Sequence, residues 1–274
     1  MELRQNSSTQ PIKATVKYLS FHEKNPVFYI GVPQSEQTKK PPSFEKATVH
    51  IHNARQNFTS FSLEENGFEF KVQDLPDIDF LDKNTVIEKY YKASEDIVAD
   101  NTGALRVIAF DHNIRDYELA STDIEVDNPV RFVHNDYTEG SAPQRVIDIL
   151  GPESERWLKK RYSFINVWRP LRGPVLDFPL GFIDSKSLSS ADFVESELRY
   201  RDRVGHIYSL VNNPAHRWYF LEQMMPEEIL LLKCYDSETR AKTRYTGHAS
   251  FKHPYFSEDH LPRRSIETRT IAFY

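Results

Sequence analysis

The stretch Tyr162-Ser-Phe-Ile-Asn-Val-Trp-Arg169 decides the fold class. Aromatic and β-branched residues dominate it, the composition of a strand that packs on a pleated surface. Working outward, the same signature recurs at Leu180–Ile183, His206–Val211, Arg217–Leu221, Ile229–Tyr235, His248–Lys252 and Ser265–Phe273. Towards the N-terminus it recurs at Lys13–Phe21, Val27–Val32 and Ala47–His52, and again at Ser60–Leu63 and Phe68–Val72. The last two flank Glu64-Glu-Asn-Gly67, a turn sequence that asks for a hairpin. The clearest helix spans Asn84–Ala99, where Val86, Ile87, Tyr90, Tyr91, Ile97 and Val98 share one face and Asp82 or Asn84 can cap. Short helices are expected at Gln144–Leu150 and Glu153–Lys160, with Pro152 suited to a first turn. Closely spaced strands with few helices between them predict a mainly β protein, an antiparallel sandwich or barrel rather than βαβ units.

The 274 residues suffice for one continuous core, so we expect a single domain over 1–274: a β-rich N-terminal extension with a helix over 1–100 and a barrel core over 105–274. With Lys+Arg 35 against Asp+Glu 40 the net charge is −5, which offers no basic excess for nucleic acid. Cys234 is the one cysteine, so internal disulfides and cysteine-rich metal sites are excluded, and a buried thiol is expected. No apolar run reaches the ~18 residues of a membrane span, and Met1-Glu-Leu-Arg-Gln-Asn-Ser-Ser8 is not a secretion signal, so the expected compartment is cytoplasmic. No two of the 9 glycines lie closer than eight positions, which disfavours phosphate-binding loops and nucleophile elbows. Gln34–Ser43 is expected to be a flexible loop and a candidate lid, and Met1–Gln10 a frayed terminus.

Chemistry enters at His134-Asn-Asp136. On a strand reading, Pro129–His134 and onward, alternation puts His134 and Asp136 on one face, ~7 Å apart at the backbone. They could supply two ligands of a His/carboxylate/His facial triad, which leaves open coordination positions. Among 10 His and 40 acidic residues such a pair arises by chance, so its context matters. A third ligand has to come from a later strand, with an anion-binding cation beyond it. The C-terminal region offers that order in Gly247-His248-Ala-Ser-Phe251 and Pro262-Arg263-Arg264-Ser265, where 15 residues, a hairpin's length, separate His248 from Arg263.

Strand-borne His-x-Asp, a distal His and a final Arg-x-Ser resemble the Fe(II)/2-oxoglutarate oxygenases of double-stranded β-helix fold. Phe110-Asp-His-Asn-Ile-Arg115, Val133-His-Asn-Asp-Tyr137, Asn166-Val-Trp-Arg-Pro-Leu171, Gly173-Pro-Val175, Asp184-Ser-Lys-Ser187, His216-Arg-Trp-Tyr219 and Arg263-Arg-Ser-Ile-Glu-Thr-Arg269 resemble one subfamily. It contains cephamycin methoxylation proteins, gibberellin desaturase-like enzymes and fungal tailoring oxygenases, a meroterpenoid endoperoxide synthase among them. The resemblance implies a jelly-roll, cupin-like barrel with a few flanking helices, using Fe(II), 2-oxoglutarate and O2. It makes His134, Asp136 and His248 the iron ligands, with His216 as the alternative third. Arg263 and Ser265 would hold the distal carboxylate of 2-oxoglutarate, with Arg269 in reserve and Asn166 and Arg169 nearby. Arg264 points the other way and is expected at the surface.

The substrate expected from 18 Phe, 14 Tyr and 3 Trp is an apolar natural product, such as a terpenoid, facing Tyr137, Trp218 and His216. Hydroxylation, desaturation or endoperoxide formation would follow hydrogen abstraction. The competing readings are a non-enzymatic barrel that binds a metabolite or assists a pathway, and a metal enzyme that needs no keto acid. The oligomeric state is open, a homodimer included. His50-Ile-His52 lacks a carboxylate partner, His112 is expected to be a core histidine bonded to backbone, and His253 and His260 to be loop residues. Trp168 is expected to pack, and Glu88, Glu95 and Asp96 to form a solvated helix face.

Overall fold

Residues 162–170 form a strand that is buried along its whole length, which requires both of its faces to be covered. The computed structural model describes residues 10–116, 132–256 and 260–274. Among them are the strands β1 (Ile12–Leu19), β2 (Val27–Tyr29), β3 (Phe44–Asn53), β4 (Phe68–Val72), β5 (Arg106–Asp116), β6 (His134–Asn135) and β7 (Tyr162–Pro170). The chain continues through β8 (Leu180–Ile183), β9 (Phe193–Arg199), β10 (Val204–Leu210), β11 (Trp218–Phe220), β12 (Glu228–Asp236), β13 (His248–Ser250) and β14 (Arg264–Phe273). They make a five-stranded sheet in the order β4-β12-β7-β14-β5 and a nine-stranded sheet in the order β1-β3-β11-β8-β13-β6-β10-β9-β2. The result is a jelly roll, mainly β as expected.

Three apolar layers follow from this arrangement. Between the sheets, Phe68, Phe164, Trp168, Phe182, Leu230 and Leu232 form the main core. On the outer face of the five-stranded sheet, Ile165, Val167, Ile229, Leu231 and Ala272 pack against Ile97 and Val98 of the helix Tyr91–Thr102. That helix is entered through Lys83–Thr85 and a π-helical turn, Val86–Tyr90, with the Asp82 side chain accepting from the Asn84 N–H. It ends at Gly103, whose φ of +67° closes the last turn. The third layer lies inside the curl of the nine-stranded sheet. There Lys17 bridges to Phe132 and Leu19 to Val211, so β1 returns towards β6 and β10 and encloses Val16, Tyr18, Ile183, Leu210, Trp218 and Phe251.

Several expectations are corrected. Ser60–Leu63 forms no strand, because Phe61 turns its ring onto Phe68 and Tyr219, at 4.7 and 5.0 Å between centroids, and leaves β4 to pair with β12. The sheet is not wholly antiparallel: β11 runs parallel to β3 and β2 parallel to β9. The N-terminal strands β1 and β3 are part of the nine-stranded sheet rather than an extension of it. His248 and Arg263 do not belong to one hairpin, since β13 and β14 lie in opposite sheets. The loop 34–43 is pinned by Tyr29, whose hydroxyl accepts from the Thr38 and Lys39 N–H groups at 3.0 and 3.1 Å. The short helices lie at Ser141–Leu150 and Ser154–Leu158, with Pro152 in the 3-10 turn between them. Residues 1–9 of the expected frayed terminus and 129–131 of the expected strand lie outside the described residues.

Gly67 turns the chain into β4 at φ +81°, and an added Cβ there would lie 3.0 Å from the side chains of Thr243 and Thr246. Both effects oppose a side chain. We expect Gly67→Ala to lower stability by about 1–3 kcal/mol, read as a lower melting temperature in thermal denaturation followed by circular dichroism.

Candidate metal centre

β6 and β13 are neighbours, and their register sets His134 directly opposite His248, with 4.4 Å between ring centroids. Asp136 follows β6 by one residue. Its Oδ1 lies 3.5 Å from His134 Nε2 and 4.0 Å from His248 Nε2, and one donor atom from each of the three residues falls within 4.8 Å of the others. His134 Nδ1 is 2.9 Å from the Phe132 carbonyl oxygen. A carbonyl only accepts, so Nδ1 carries the proton and Nε2 presents its lone pair to the cluster. His248 Nδ1 is buried without a partner among the described residues. Burial, and then the neighbouring His134, push the pKa of His248 down to about 3, which keeps that imidazole neutral.

The Asp136 carboxylate divides its two oxygens. Oδ2 accepts from Asn166 Nδ2 at 2.7 Å and Arg269 Nε at 3.4 Å, which leaves Oδ1 for the imidazole side. Arg269 also donates to Asp111 and Glu267 at 2.9 Å each and to Asn113 at 2.5 Å. Burial raises the Asp136 pKa, but Arg269 and the two imidazoles outweigh it and hold it well below the usual carboxylate range. The same burial raises the Glu267 pKa. Two neutral imidazole nitrogens and one carboxylate oxygen form the donor set suited to a non-haem Fe(II) with open positions. The residues therefore fit such an ion.

A cavity beside this cluster is lined by His134, His248, Arg115, Trp168, Ser250, Arg263, Glu267 and Arg269, among others. Arg263 is buried, with its guanidinium carbon 5.5 Å from the Trp168 ring centre. It donates to the Phe178 carbonyl oxygen, and its Nη1 lies 3.4 Å from Ser250 Oγ. Burial and the nearby Arg115 charge bring its pKa down to about 10. Arg263 Nε and Ser265 Oγ are buried with no partner among the described residues. A donor and a hydroxyl left open two residues apart in the chain are the kind of groups that a carboxylate would satisfy.

The remaining expected site residues are placed elsewhere. His216 is not part of the His134, Asp136 and His248 group: its Nδ1 lies 2.8 Å from Tyr18 Oη and its Nε2 3.0 Å from Asp192 Oδ2. Trp218 is fully buried in the curl and donates to Tyr18 Oη at 2.9 Å. Tyr137 stacks on Phe164 at 4.1 Å in the main core. Arg169 points away from the cavity and donates to the carbonyls of Pro226 and Gln73. Asn166 and Arg269 both donate to Asp136, and Arg269 also lines the cavity. Arg264 pairs with the buried Asp116. His112 meets the Tyr91 hydroxyl at 2.9 Å, not backbone. Arg115, Ser250 and Glu267 line the cavity without having been singled out, as does Trp168, which was expected only to pack; Glu267 continues the alternation of Arg263, Ser265 and Arg269.

This donor set in a jelly roll defines a class, and comparison with known proteins agrees. Residues 16–273 match the family model described as "Oxidoreductase/YMDC permease-like domain"; no helix among the described residues is long and apolar enough to cross a membrane. The Fe(II)/2-oxoglutarate-dependent dioxygenase nvfI of Aspergillus novofumigatus is 31% identical over 258 residues, 91% of each chain. The hydroxylase/desaturase efuI of Hormonema carpetanum is 29% identical, over 82% of this chain and 83% of its own. The solved iron and alpha-ketoglutarate-dependent endoperoxidase NvfI superposes with a TM-score of 0.88 at 27% identity, covering 97% of this chain and 99% of its own. A tryptophan-to-phenylalanine variant of that endoperoxidase gives 0.90 at 26% identity, covering 98% and 99%. The chain belongs to the Fe(II)/2-oxoglutarate-dependent dioxygenases, and its cofactors are Fe(II), 2-oxoglutarate and O2.

Loss of the Asn166 amide frees Asp136 Oδ2, so Asn166→Ala should weaken metal affinity by about 10–100-fold, as removal of a ligand's outer partner does. Isothermal titration of the apoprotein with Co(II) measures this directly. The buried histidines set a second expectation. Burial holds His248, His216 and His253 below the ordinary histidine value, so below pH ~6.5 the unfolded chain binds protons that the folded one refuses. The metal-free protein should therefore lose stability from pH ~6.5 downward, and His248→Asn should lose less of it, in urea denaturation at pH 7 and pH 5.

Proposed function

We propose that His134, Asp136 and His248 hold the iron, that Arg263 with Ser265 binds the distal carboxylate of 2-oxoglutarate, and that the substrate is an apolar secondary metabolite. The observation that carries this reading is the divided carboxylate of Asp136, one oxygen turned to the Nε2 atoms of two imidazoles and the other occupied by Asn166 and Arg269. When bound, Fe(II) with 2-oxoglutarate supplies the activation of O2 for removing hydrogen from the substrate. The protein's part is positional. Asn166 and Arg269 keep Asp136 charged and single-toothed, which leaves room for the keto acid and O2. The Phe132 carbonyl fixes the tautomer of His134. Arg263, itself buried, gives charge-assisted hydrogen bonds, which a low-dielectric surrounding strengthens.

An apolar substrate is supported by the names of the relatives, which include an endoperoxidase and hydroxylase/desaturases. Whether hydroxyl, double bond or peroxide results depends on how the substrate meets the centre. The single cysteine, buried and free, fits the cytosol, and we assign the enzyme to it.

An anaerobic titration of the apoprotein with Fe(II) and then 2-oxoglutarate tests the assignment, through the visible charge-transfer band of a chelated keto acid. We expect the band in the wild type and in His216→Gln, and its absence in His134→Ala and His248→Ala. Arg263→Gln should raise the dissociation constant for 2-oxoglutarate by roughly 10–100-fold, the value of charge-assisted bonds lost. A band that survives in His248→Ala and disappears in His216→Gln would overturn the ligand set.

A further inference from the structure

The nine-stranded sheet is joined at its middle by one residue pair. β13 pairs with β8 through three residues, and β6 pairs with β10 through two. Between β6 and β13, the ladder among the described residues is His134 opposite His248 alone. This seam divides the sheet into β1-β3-β11-β8-β13 and β6-β10-β9-β2. It also divides the metal centre, with His134 and Asp136 on one side and His248 on the other. A ligand set that must be held to within ~0.5 Å needs more support across the seam than one pair supplies.

A second tie crosses the seam outside the centre. Glu139 lies three residues after Asp136, and Arg244 and Tyr245 lie four and three residues before His248. Arg244 Nη1 and Nη2 donate to the two carboxylate oxygens of Glu139, at 2.5 and 3.0 Å, and the Tyr245 hydroxyl donates to Oε1. The Tyr235 hydroxyl of β12 donates to Oε2 at 3.4 Å. Isolated surface ion pairs contribute little, partly because two long side chains must be immobilised to form them. Here Arg244 is already held. Its Nε donates to the Asp236 carbonyl at 2.8 Å, and its guanidinium carbon lies 5.4 and 5.2 Å from the ring centres of Tyr235 and Tyr245. Tyr245 in turn packs on Tyr208 of β10, with 5.6 Å between centroids, and Tyr208 is the ladder partner of Asn135 in β6.

We propose that Glu139 is a positioning residue for the metal centre: gripped by Arg244 and Tyr245, it locks the half-sheet of His134 and Asp136 to that of His248. It acts through the backbone of residues 136–139 and 244–248. The inference rests on the proposed ligand set.

Co(II) binding to the metal-free protein tests it, with the dissociation constant from isothermal titration and the ligand geometry from the visible d–d absorption. Glu139→Ala should raise the Co(II) dissociation constant about 10-fold, the lower end of what loss of a ligand's outer support costs, and change the shape of the d–d band. Arg244→Gln should do the same. Glu139→Gln keeps an acceptor oxygen for Tyr245 and should have a smaller effect. The Glu139 side chain is 53% exposed, so the metal-free variants should fold and melt close to wild type. A lowered melting temperature with wild-type Co(II) affinity and spectrum would make the role structural only and overturn the proposal. His248→Ala separates the two assignments. If it loses Co(II) affinity while Glu139→Ala and Arg244→Gln keep the wild-type affinity and spectrum, the positioning role falls and the ligand set stands. If His248→Ala itself keeps wild-type affinity, the ligand set fails and the positioning role with it.

Discussion

Arg269 puts a permanent positive charge between the two sheets, and the polar interior of the barrel is built to meet it. A guanidinium cannot shed its proton to escape burial, so it has to be surrounded by acceptors. β14 brings it between β5 and β7, where Asp111, Asn113, Glu267 and Asp136 supply them. Breaking such a buried group by removing one partner costs about 3–5 kcal/mol, so the arrangement is tightly fixed. Asp136 is the point where this charge network meets the imidazoles. The stability of the interior and the geometry of the metal centre are therefore one problem with one solution.

The depth of the centre follows from the layers. The helix over residues 83–102 covers the outer face of the five-stranded sheet, so β7 and β12 can be apolar on both faces and polar only where the inner face needs it. Asn166 and Lys233 illustrate the difference. Asn166 points inward and holds Asp136, whereas the buried Lys233 is balanced by Asp236 at 3.0 Å and Glu64 at 3.1 Å, away from the centre. On the opposite wall, β6 and β13 contribute only their two histidines to the cluster, and Gly247 just before His248 lies close against Leu210 and Ile183.

Much of this was legible in the sequence, and the failures have physical causes. Strand-rich composition and the alternation of Arg263, Ser265 and Arg269 are local properties, and alternation alone predicts which side chains share a face. The pairing of His134 with His248 was accessible only through the resemblance, because no local pattern says which of two distant histidines meets a third residue. β5 was missed as an element because Arg106–Asp116 interleaves charged with apolar residues. That Asn166 and Arg269 both donate to Asp136 was not legible either, because it depends on side-chain reach across sheets.

His216 shows most clearly what a motif can and cannot say. His216 Nε2 donates to the Asp192 carboxylate; Nδ1 then accepts from the Tyr18 hydroxyl, whose oxygen in turn accepts from Trp218 Nε1. Every hydrogen in this chain has one consistent direction, and the histidine has no lone pair left for a metal. The network ties β1 to β11 and to the turn before β9 inside the curl of the nine-stranded sheet. The His-Arg-Trp-Tyr sequence thus belongs to the closure of the sheet that carries His134 and His248, and it serves the metal centre by holding that wall in shape.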